Sequence, residues 1–348
     1  MPMFAPRFCR PMLAVVALLL VGWLLQAAEP KNRPVASPKS EAKTPAGKPE
    51  KADRPKLIFD EDEPRPAAKA APAKESGEED QKEESQFLRV VRDGKKKPIA
   101  MEAAIVSYAP RDCGRNHPTV DLVSAVHIGE KAYYDELNRV FEQYDVVLYE
   151  LVAPEGTRVP KGGGKGPQSA VSRIQSFMTD VLHLEFQLRA IDYTKQNLVH
   201  ADMSPDQFDK AMEKRGETFF TMFMRMWGYT MTHPRSGNTS DTDILAALLS
   251  KDRPLLLKRA LAEQFFEYGG SLDAISGPDG SAIITDRNSR ALEVLRKQID
   301  GGKKKIAIFY GAGHMPDFDK RLRADFALSP ITTRWLVAWD LRDPAKPK

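Results

Sequence analysis

"TVDLVSAVHIGEKAYYDELNRVFEQYDVVLYELVA", residues 119–153, carries the pattern from which the fold can be predicted. The β-branched run at 119–127 predicts a strand, and residues 129–144 have apolar side chains at helical spacing. The run at 145–153 is apolar almost throughout, as in strands that are buried on both faces. A strand, a helix and a strand over this length predict a parallel pair joined by a right-handed crossover.

Further elements extend this pattern on both sides. Residues 102–108, "KKIAIFYGAGH" (304–314) and "TTRWLVAWDLR" (332–342) predict strands, the last of them an edge or terminal strand. Ser204 is the expected N-cap of a helix that begins at Pro205. We therefore predict an α/β domain over 87–348, with a mostly parallel sheet built from β-α-β units and a helical insertion at about 205–275.

The first 86 residues predict export and a linker. Arg7 and Arg10 precede an apolar stretch that ends at residue 28, the pattern of a signal peptide. The segment 12–28 is either cleaved with the signal or kept as a membrane anchor. Residues 29–86 contain nine Pro and nine Ala among many charges, which predicts a disordered tether. We expect an exported protein, periplasmic, secreted or on the cell surface, with a possible membrane tether.

Charge and cysteine content exclude some classes of function. The formal net charge of +4 is small and scattered, so the composition does not favour nucleic-acid binding. Of the two cysteines, Cys9 lies in the signal and Cys113 stands alone. The exported domain therefore has no pair from which to form an internal disulfide.

Three ionisable residues fall at or near predicted strand ends: His127, Glu150 and His314. Ligands of open α/β sheets bind outside the carboxyl ends of the strands, and neighbouring strands are only ~4.8 Å apart. The three side chains can therefore converge on one metal ion or one substrate atom, and Gly311 and Gly313 permit close approach of a ligand. Each residue also has an ordinary interpretation, as a half-buried histidine or as a carboxylate that emerges into water.

A second group lies in "TDRNSRALEVLRKQID", residues 285–300. With Thr285 or Asp286 as the helix cap, Arg287 and Asn288 would occupy the first turn, where free backbone N–H groups favour an anion. An arginine there can hold a substrate carboxylate or stabilise a developing oxyanion. The alternative is a solvated helix surface.

Two further segments have alternative interpretations. His200 and Asp202 are two apart in a short predicted strand and so face the same side, as a ligand pair, as a histidine oriented by a carboxylate, or as part of a turn. Residues 218–231 are dense in Met and aromatic side chains, which is typical of core but also of an apolar wall over a site.

Four motifs in order, "SAVHIGEKAYYDEL", "DVVLYE", "DRNSRAL" and "FYGAGHMPDF", resemble the TraB/Tiki/GumN superfamily, which is related more distantly to erythromycin esterases and ChaN-like haem-binding proteins. The resemblance covers roughly residues 100–320. The family pattern is an early GxxH, a Glu at the next strand end, an Arg-Asn helix start and a late GxxH. Here Ser124 occupies the glycine position of the early motif.

The resemblance implies a Tiki-like, metal-dependent hydrolase of peptides or proteins. His127, Glu150 and His314 would bind Zn, Mn or Co, a three-ligand set that leaves a position open for water. Glu150 could instead accept a proton, while Arg287 and Asn288 hold the substrate; His200 and Asp202 are outer candidates. Two alternatives are a non-catalytic module that binds peptide or haem, and a metal-free esterase-like hydrolase in which His and Glu act as general base.

Overall fold

A mixed sheet of seven strands organises the chain in a computed structural model. The structure describes residues 86–111, 117–162, 182–218, 220–222, 224–225, 228, 246–247, 249–269, 276–277 and 279–344. The expected signal or anchor at 1–28 and the expected tether at 29–86, except for its last residue, lie outside these ranges. Among the helices in these ranges, none combines the length and apolar character needed to cross a membrane.

The elements alternate between strands and helices over most of the domain. The strands are β1 (Leu88–Arg92), β2 (Pro98–Pro110), β3 (Thr119–Ala125), β4 (Ile128–Gly129), β5 (Val146–Tyr149), β6 (Glu185–Phe186), β7 (Leu198–His200), β8 (Lys305–Gly311) and β9 (Leu328–Asp340). The α-helices are α1 (Lys131–Phe141), α2 (Gln187–Ala190), α3 (Pro205–Lys214), α4 (Arg253–Gly269), α5 (Arg287–Asp300) and α6 (Met315–Asp325). A π-helical turn (Ala282–Asp286) precedes α5, and a 3₁₀ turn (Ala312–His314) precedes α6.

The parallel half of the sheet aligns the strand ends that carry the candidate site. The strand order is β1-β2-β3-β8-β5-β7, with β9 paired to β2, and β4 and β6 form a separate small sheet. Strands β3 and β5, which flank α1, both pair in parallel with β8. Ala125 is opposite Gly311, and Tyr149 is opposite Phe309. The chain therefore leaves β3, β5 and β8 at the same edge of the sheet.

The prediction of a mostly parallel sheet is wrong for the other half. Strand β2 is antiparallel to β1, to β3 and to β9, whereas β3, β8, β5 and β7 form the three parallel pairs. The reason is visible in the spacing, because β2 ends at Pro110 and β3 begins at Thr119. Parallel neighbours need a crossover of a dozen or more residues, and the connection 111–118 is too short for one.

Both faces of the parallel strands are covered, as the continuous apolar runs predict. Val123, Val147 and Phe309 share one cluster with side chains of α1. Their sequence neighbours Leu122, Leu148 and Ile308 point to the opposite face and share a cluster with side chains of α5 and α6. This period of two places helices on both sides of the sheet, so the coarse α/β fold class is confirmed.

The predicted helical insertion is only partly within the described residues. Helix α3 begins at Pro205 as expected, and Ser204 and Gln207 form a reciprocal capping box. Helix α4 occupies a later part of the range. Residues 229–245 and 270–275, and much of the Met-rich segment 218–231, lie outside the described ranges.

Candidate functional site

His127, Glu150 and His314 lie together at the carboxyl edge of the parallel strands. The Nε2 atom of His314 is 3.5 Å from Oε1 of Glu150. A Cβ atom placed on Gly311 would be 3.2 Å from Nε2 of His127 and 3.4 Å from Oε2 of Glu150. Residues 127 and 150 follow β3 and β5, and His314 ends the turn after β8. The structure therefore brings the three residues into one cluster, with Gly311 between two of them.

Glu150 is a buried carboxylate whose two oxygens both accept hydrogen bonds. The Nη2 atom of Arg287 donates to Oε1 at 2.7 Å, and the backbone N–H of Gly311 donates to Oε2 at 2.7 Å. Burial alone would raise the pKa of Glu150, but the Arg287 guanidinium, together with the two histidines and the N–H of Gly311, outweighs it and lowers the pKa to about 2. Glu150 is therefore ionised at neutral pH, which makes it a poor proton acceptor.

Arg287 links Glu150 to a second buried carboxylate. Its Nε and Nη2 atoms donate to the two oxygens of Asp202, at 3.0 and 2.5 Å. The same Nη2 atom also donates to Glu150. The exposed fractions of the Arg287 and Asp202 side chains are 2% and 0%. The two carboxylates raise the pKa of Arg287, although burial opposes them. Because Nε and Nη2 donate to protein oxygens, Arg287 supports Glu150, and its predicted role of holding substrate stays a prediction.

Helix α5 begins at Arg287, directly after the predicted cap, but a π-helical turn leads into it. Ser281 precedes the π-helical turn, and its Oγ accepts from the N–H of Ile284 at 3.2 Å. Asp286 is the N-cap position of α5, as predicted, but its side chain makes no capping hydrogen bond, because a helical turn from Ala282 already precedes it. Arg287 and Asn288 lie in the first turn of α5, as predicted, but the backbone N–H of Arg287 donates to the backbone oxygen of Ile284 and so is not free for an anion.

Asn288 fixes the orientation of His314. Its Nδ2 donates to the backbone oxygen of His314 at 3.0 Å and to Oδ2 of Asp317 at 2.8 Å. Both partners can only accept, so the amide nitrogen must face them and Oδ1 must face Nδ1 of His314, 2.6 Å away. Nδ1 therefore carries the hydrogen, and Nε2, which has no hydrogen-bond partner among the described residues, presents its lone pair towards Glu150.

Both imidazoles are held in a neutral form by burial. Burial lowers the pKa of His127 to about 4, against the attraction of the Glu150 carboxylate. The same cause lowers the pKa of His314 to about 4, again with Glu150 in opposition. Neutral imidazole is the form that binds a metal ion or accepts a proton, so both rings are in the required state at neutral pH.

The structure separates the predicted pair of His200 and Asp202. His200 is the last residue of β7, and its Nε2 lies 2.5 Å from the backbone oxygen of Leu151. Asp202 lies beyond the strand and bonds to Arg287. Asp202 thus belongs to the cluster through Arg287, whereas the bond of His200 is to the main chain.

The spacing of His314 and Glu150 is close to that of two ligands on one metal ion. Two ligand atoms that share a tetrahedral Zn²⁺ at about 2.0–2.1 Å are roughly 3.3–3.4 Å apart, close to the His314–Glu150 distance. Glu150 also retains lone pairs, since each carboxylate oxygen can accept more than one bond. Among the described residues, however, no group of three or more His, Cys, Asp and Glu side chains forms a ready metal site. The His314–Glu150 distance fits a shared ion, Glu150 could bind it through its remaining lone pairs, and Nε2 of His127 lies near the same carboxylate beside Gly311.

Access to the cluster is from the side of β3 and the turn after β8. His127, Ala312 and Gly313 are partly exposed, whereas Glu150, Arg287 and His314 are buried. These three partly exposed residues are therefore the part of the cluster that a ligand would reach first.

Sequence reasoning missed two side chains that contact the histidines or their partners. Gln187 lies 2.9 Å from Nδ1 of His127, and Asp317 accepts from Asn288. Asp317 follows "GAGHMP" within the quoted late motif and was available as a signal. Gln187 is 60 residues from His127 in the chain and belongs to no recognisable pattern.

In comparisons with models of protein families, with curated proteins and with solved structures, no significant match was found. The TraB/Tiki/GumN resemblance therefore depends on the motifs alone.

Proposed function

We propose that the protein is an exported, metal-dependent hydrolase of peptides or proteins, of the Tiki/TraB type. The observation that supports this most strongly is the buried Nε2 of His314, which has no hydrogen-bond partner among the described residues and lies 3.5 Å from Glu150. A buried polar atom without a partner is costly, and a bound cation would remove that cost.

The cluster assigns a role to each residue of the proposed centre. His127 and His314 would hold a divalent ion, Zn, Mn or Co, and Glu150 would be the third ligand. Such an ion supplies a Lewis acid and lowers the pKa of a water molecule near it. Glu150 supplies negative charge and not a base, because its pKa is about 2. Arg287 holds Glu150 in place, and Asn288 orients the ring of His314.

The proposed substrate class, peptides or proteins, rests on the family resemblance and on the partly exposed residues beside the cluster. A peptide would approach past the partly exposed residues His127, Ala312 and Gly313. The proposal also includes a domain that is built from β-α-β units. The placement of α1 between β3 and β5, both parallel to β8, supports it.

Export, with or without an anchor at 12–28, is part of the same proposal and rests on the sequence.

A metal-free hydrolase is the second candidate, and a specific contact favours it. Arg287 already balances the charge of Glu150 at 2.7 Å, and the described residues contain no ready metal site. In this version an imidazole Nε2 takes the proton of a water molecule, and the nearby Glu150 carboxylate stabilises the imidazolium that forms.

Activity with and without chelator separates the two candidates. The full chain is incubated with a mixed peptide library, and cleavage is followed by mass spectrometry before chelation, after it, and after addition of Zn²⁺, Mn²⁺ or Co²⁺. We expect cleavage that chelation abolishes, that one of the ions restores, and that His314→Ala loses. His117→Ala, a change at an exposed histidine, is the control and should retain activity. Cleavage that resists chelation would favour the metal-free version, and cleavage unaffected by His314→Ala would refute both.

A further inference from the structure

Gln187 contacts His127 through both its side chain and its main chain. Its Oε1 lies 2.9 Å from Nδ1 of His127, and its backbone N–H donates to the backbone oxygen of His127 at 2.9 Å. Its Nε2 donates to the hydroxyl of Tyr193 at 3.0 Å. The side chain is buried, with a residue exposure of 3%. The carboxamide is therefore held in place at both ends, with Oε1 towards His127 and the N–H towards Tyr193.

The orientation of this amide has a chemical consequence for His127. An amide oxygen can only accept a hydrogen bond, so the ring nitrogen that faces it must carry the hydrogen. In a neutral ring the hydrogen then lies on Nδ1, and Nε2 keeps its lone pair. Nε2 is the atom that approaches the position of a Cβ on Gly311, beside Oε2 of Glu150.

The second histidine of the site has the same arrangement. Oδ1 of Asn288 faces Nδ1 of His314, and there the amide orientation is fixed by two partners that can only accept. Both imidazoles are thus paired through Nδ1 with a carboxamide oxygen. Ligating histidines commonly have their other ring nitrogen paired in this way, which fixes the tautomer and the ring plane.

We infer that Gln187 is a positioning residue that fixes the ring plane and the Nδ1–H tautomer of His127, so that Nε2 faces the site. The use of Nε2 as a ligand rests on the proposed function, whereas the tautomer can be measured without it. Tyr193 is the second partner of the amide, and its hydroxyl accepts the N–H of Gln187 in the structure. A phenol hydroxyl can donate as well as accept, so the tautomer measurement below decides the amide orientation.

The tautomer can be read directly by NMR. The chain has six histidines, so selective ¹⁵N labelling of histidine in the chelator-treated full chain gives a simple spectrum. The signals of His127 are assigned by their loss in His127→Asn. We expect Nδ1 protonated and Nε2 unprotonated in the native chain. A native chain with the hydrogen on Nε2 would overturn the inference, whether or not the protein binds metal.

Two variants test whether Gln187 causes this state. Gln187→Met keeps the approximate volume but removes the acceptor, and we expect a mixture of tautomers at His127. Gln187→Glu keeps an acceptor and should retain the Nδ1–H form, even if the Met variant fails to fold. Tyr193→Phe frees the amide and should weaken the preference. An unchanged tautomer in folded Gln187→Met, or its loss in Gln187→Glu, would contradict the positioning role.

A metal titration connects the tautomer to the site. With Zn²⁺ as the probe, loss of such a supporting contact typically weakens affinity by about 10- to 100-fold. We expect a decrease of this size in Gln187→Met and a smaller one in Gln187→Glu. If the native chain binds no Zn²⁺, the metal proposal fails while the NMR result still decides the role of Gln187. If Gln187→Met binds Zn²⁺ as well as the native chain, the positioning role fails while the metal proposal stands.

Discussion

Nε2 of His314 lies 3.5 Å from Oε1 of Glu150, and both side chains are buried. Glu150 in turn accepts a hydrogen bond from Arg287, which also binds Asp202. The result is a buried chain of one imidazole, two carboxylates and one guanidinium at the end of the parallel strands. Its stability and its chemistry can be tested separately.

Arg287 is expected to be the main electrostatic support of the cluster. Arg287→Met leaves Glu150 and Asp202 as buried carboxylates without their cation, and removing one partner of a buried ion pair typically costs about 3–5 kcal/mol. Urea denaturation should show a decrease of this size in the free energy of unfolding. The control is Arg139→Ala, whose side chain is 71% exposed and pairs with Glu136. Equal effects of the two changes would show that Arg287 does not hold the cluster together.

Asn288 and Asp317 should be energetically coupled. Asn288→Asp replaces the donor to Asp317 and to the backbone oxygen of His314 by an acceptor, so two carboxylates face each other. A buried group left without its partner costs about 1–3 kcal/mol, which denaturation would detect. Asp317→Asn in the same chain should recover part of the loss, because one amide then faces one carboxylate. Simple addition of the two single effects would rule out the coupling.

Gly311 is expected to tolerate no side chain. A Cβ there would be 3.2 Å from Nε2 of His127 and 3.4 Å from Oε2 of Glu150, and the backbone has φ −51, so the conflict is steric and not conformational. Overpacking of this kind costs about 1–3 kcal/mol. Gly311→Ala should lower both thermal stability and Zn²⁺ affinity, the latter because the new methyl group separates the two ligands.

The matched control is Gly94→Ala, where a Cβ would have no atom within 4 Å. A surface change of this kind alters stability by at most about 0.5 kcal/mol. If Gly311→Ala behaves like Gly94→Ala in both measurements, the space between His127 and Glu150 is larger than the structure indicates.

The two imidazoles predict a pH dependence for the metal-free chain. Burial lowers the pKa of His127 and of His314 to about 4, whereas the ordinary value is 6.5. Between these values the unfolded chain binds more protons than the folded one. The free energy of unfolding should therefore decrease as pH falls from about 6.5 to about 4.

A second window follows from Glu150, whose pKa of about 2 lies below its ordinary 4.5. Its stabilising contribution is present above 4.5 and is lost as pH falls towards 2. Denaturation of the chelator-treated chain across pH 7 to 2 measures both windows. His314→Asn should give a shallower decrease between 6.5 and 4. A flat profile for the native chain in that interval would mean that the rings are not buried as neutral groups.

The sequence predicts the site better than it predicts the sheet. His127, Glu150 and His314 were identified because parallel strands end at one edge, and the parallel pairs β3/β8 and β8/β5 are present. The antiparallel half was missed because a β-branched run such as 102–108 indicates a strand without its direction. The short connection from Pro110 to Thr119 was the available signal.

The contacts of the site depend on tertiary placement that no local pattern encodes. Arg287 and Asn288 were identified, but their roles depend on partners 85 and 26 residues away, Asp202 and His314. The π-helical turn that begins at Ala282 was hidden because it leads into α5 without a break. Gln187 reaches His127 only because the segment after β6 packs against the end of β3.

The metal content of the purified full chain is the most direct test of the shared site. The native chain and the variants His127→Ala, His314→Ala and His117→Ala are purified without chelator and analysed for metals and for a visible haem spectrum. We expect one divalent ion per chain in the native protein and in His117→Ala, as in other sites with three protein ligands, and little or none in the other two variants. Three results would contradict the proposal that His127 and His314 bind one ion beside Glu150. They are a native chain without metal, a haem spectrum, and equal metal in all four proteins.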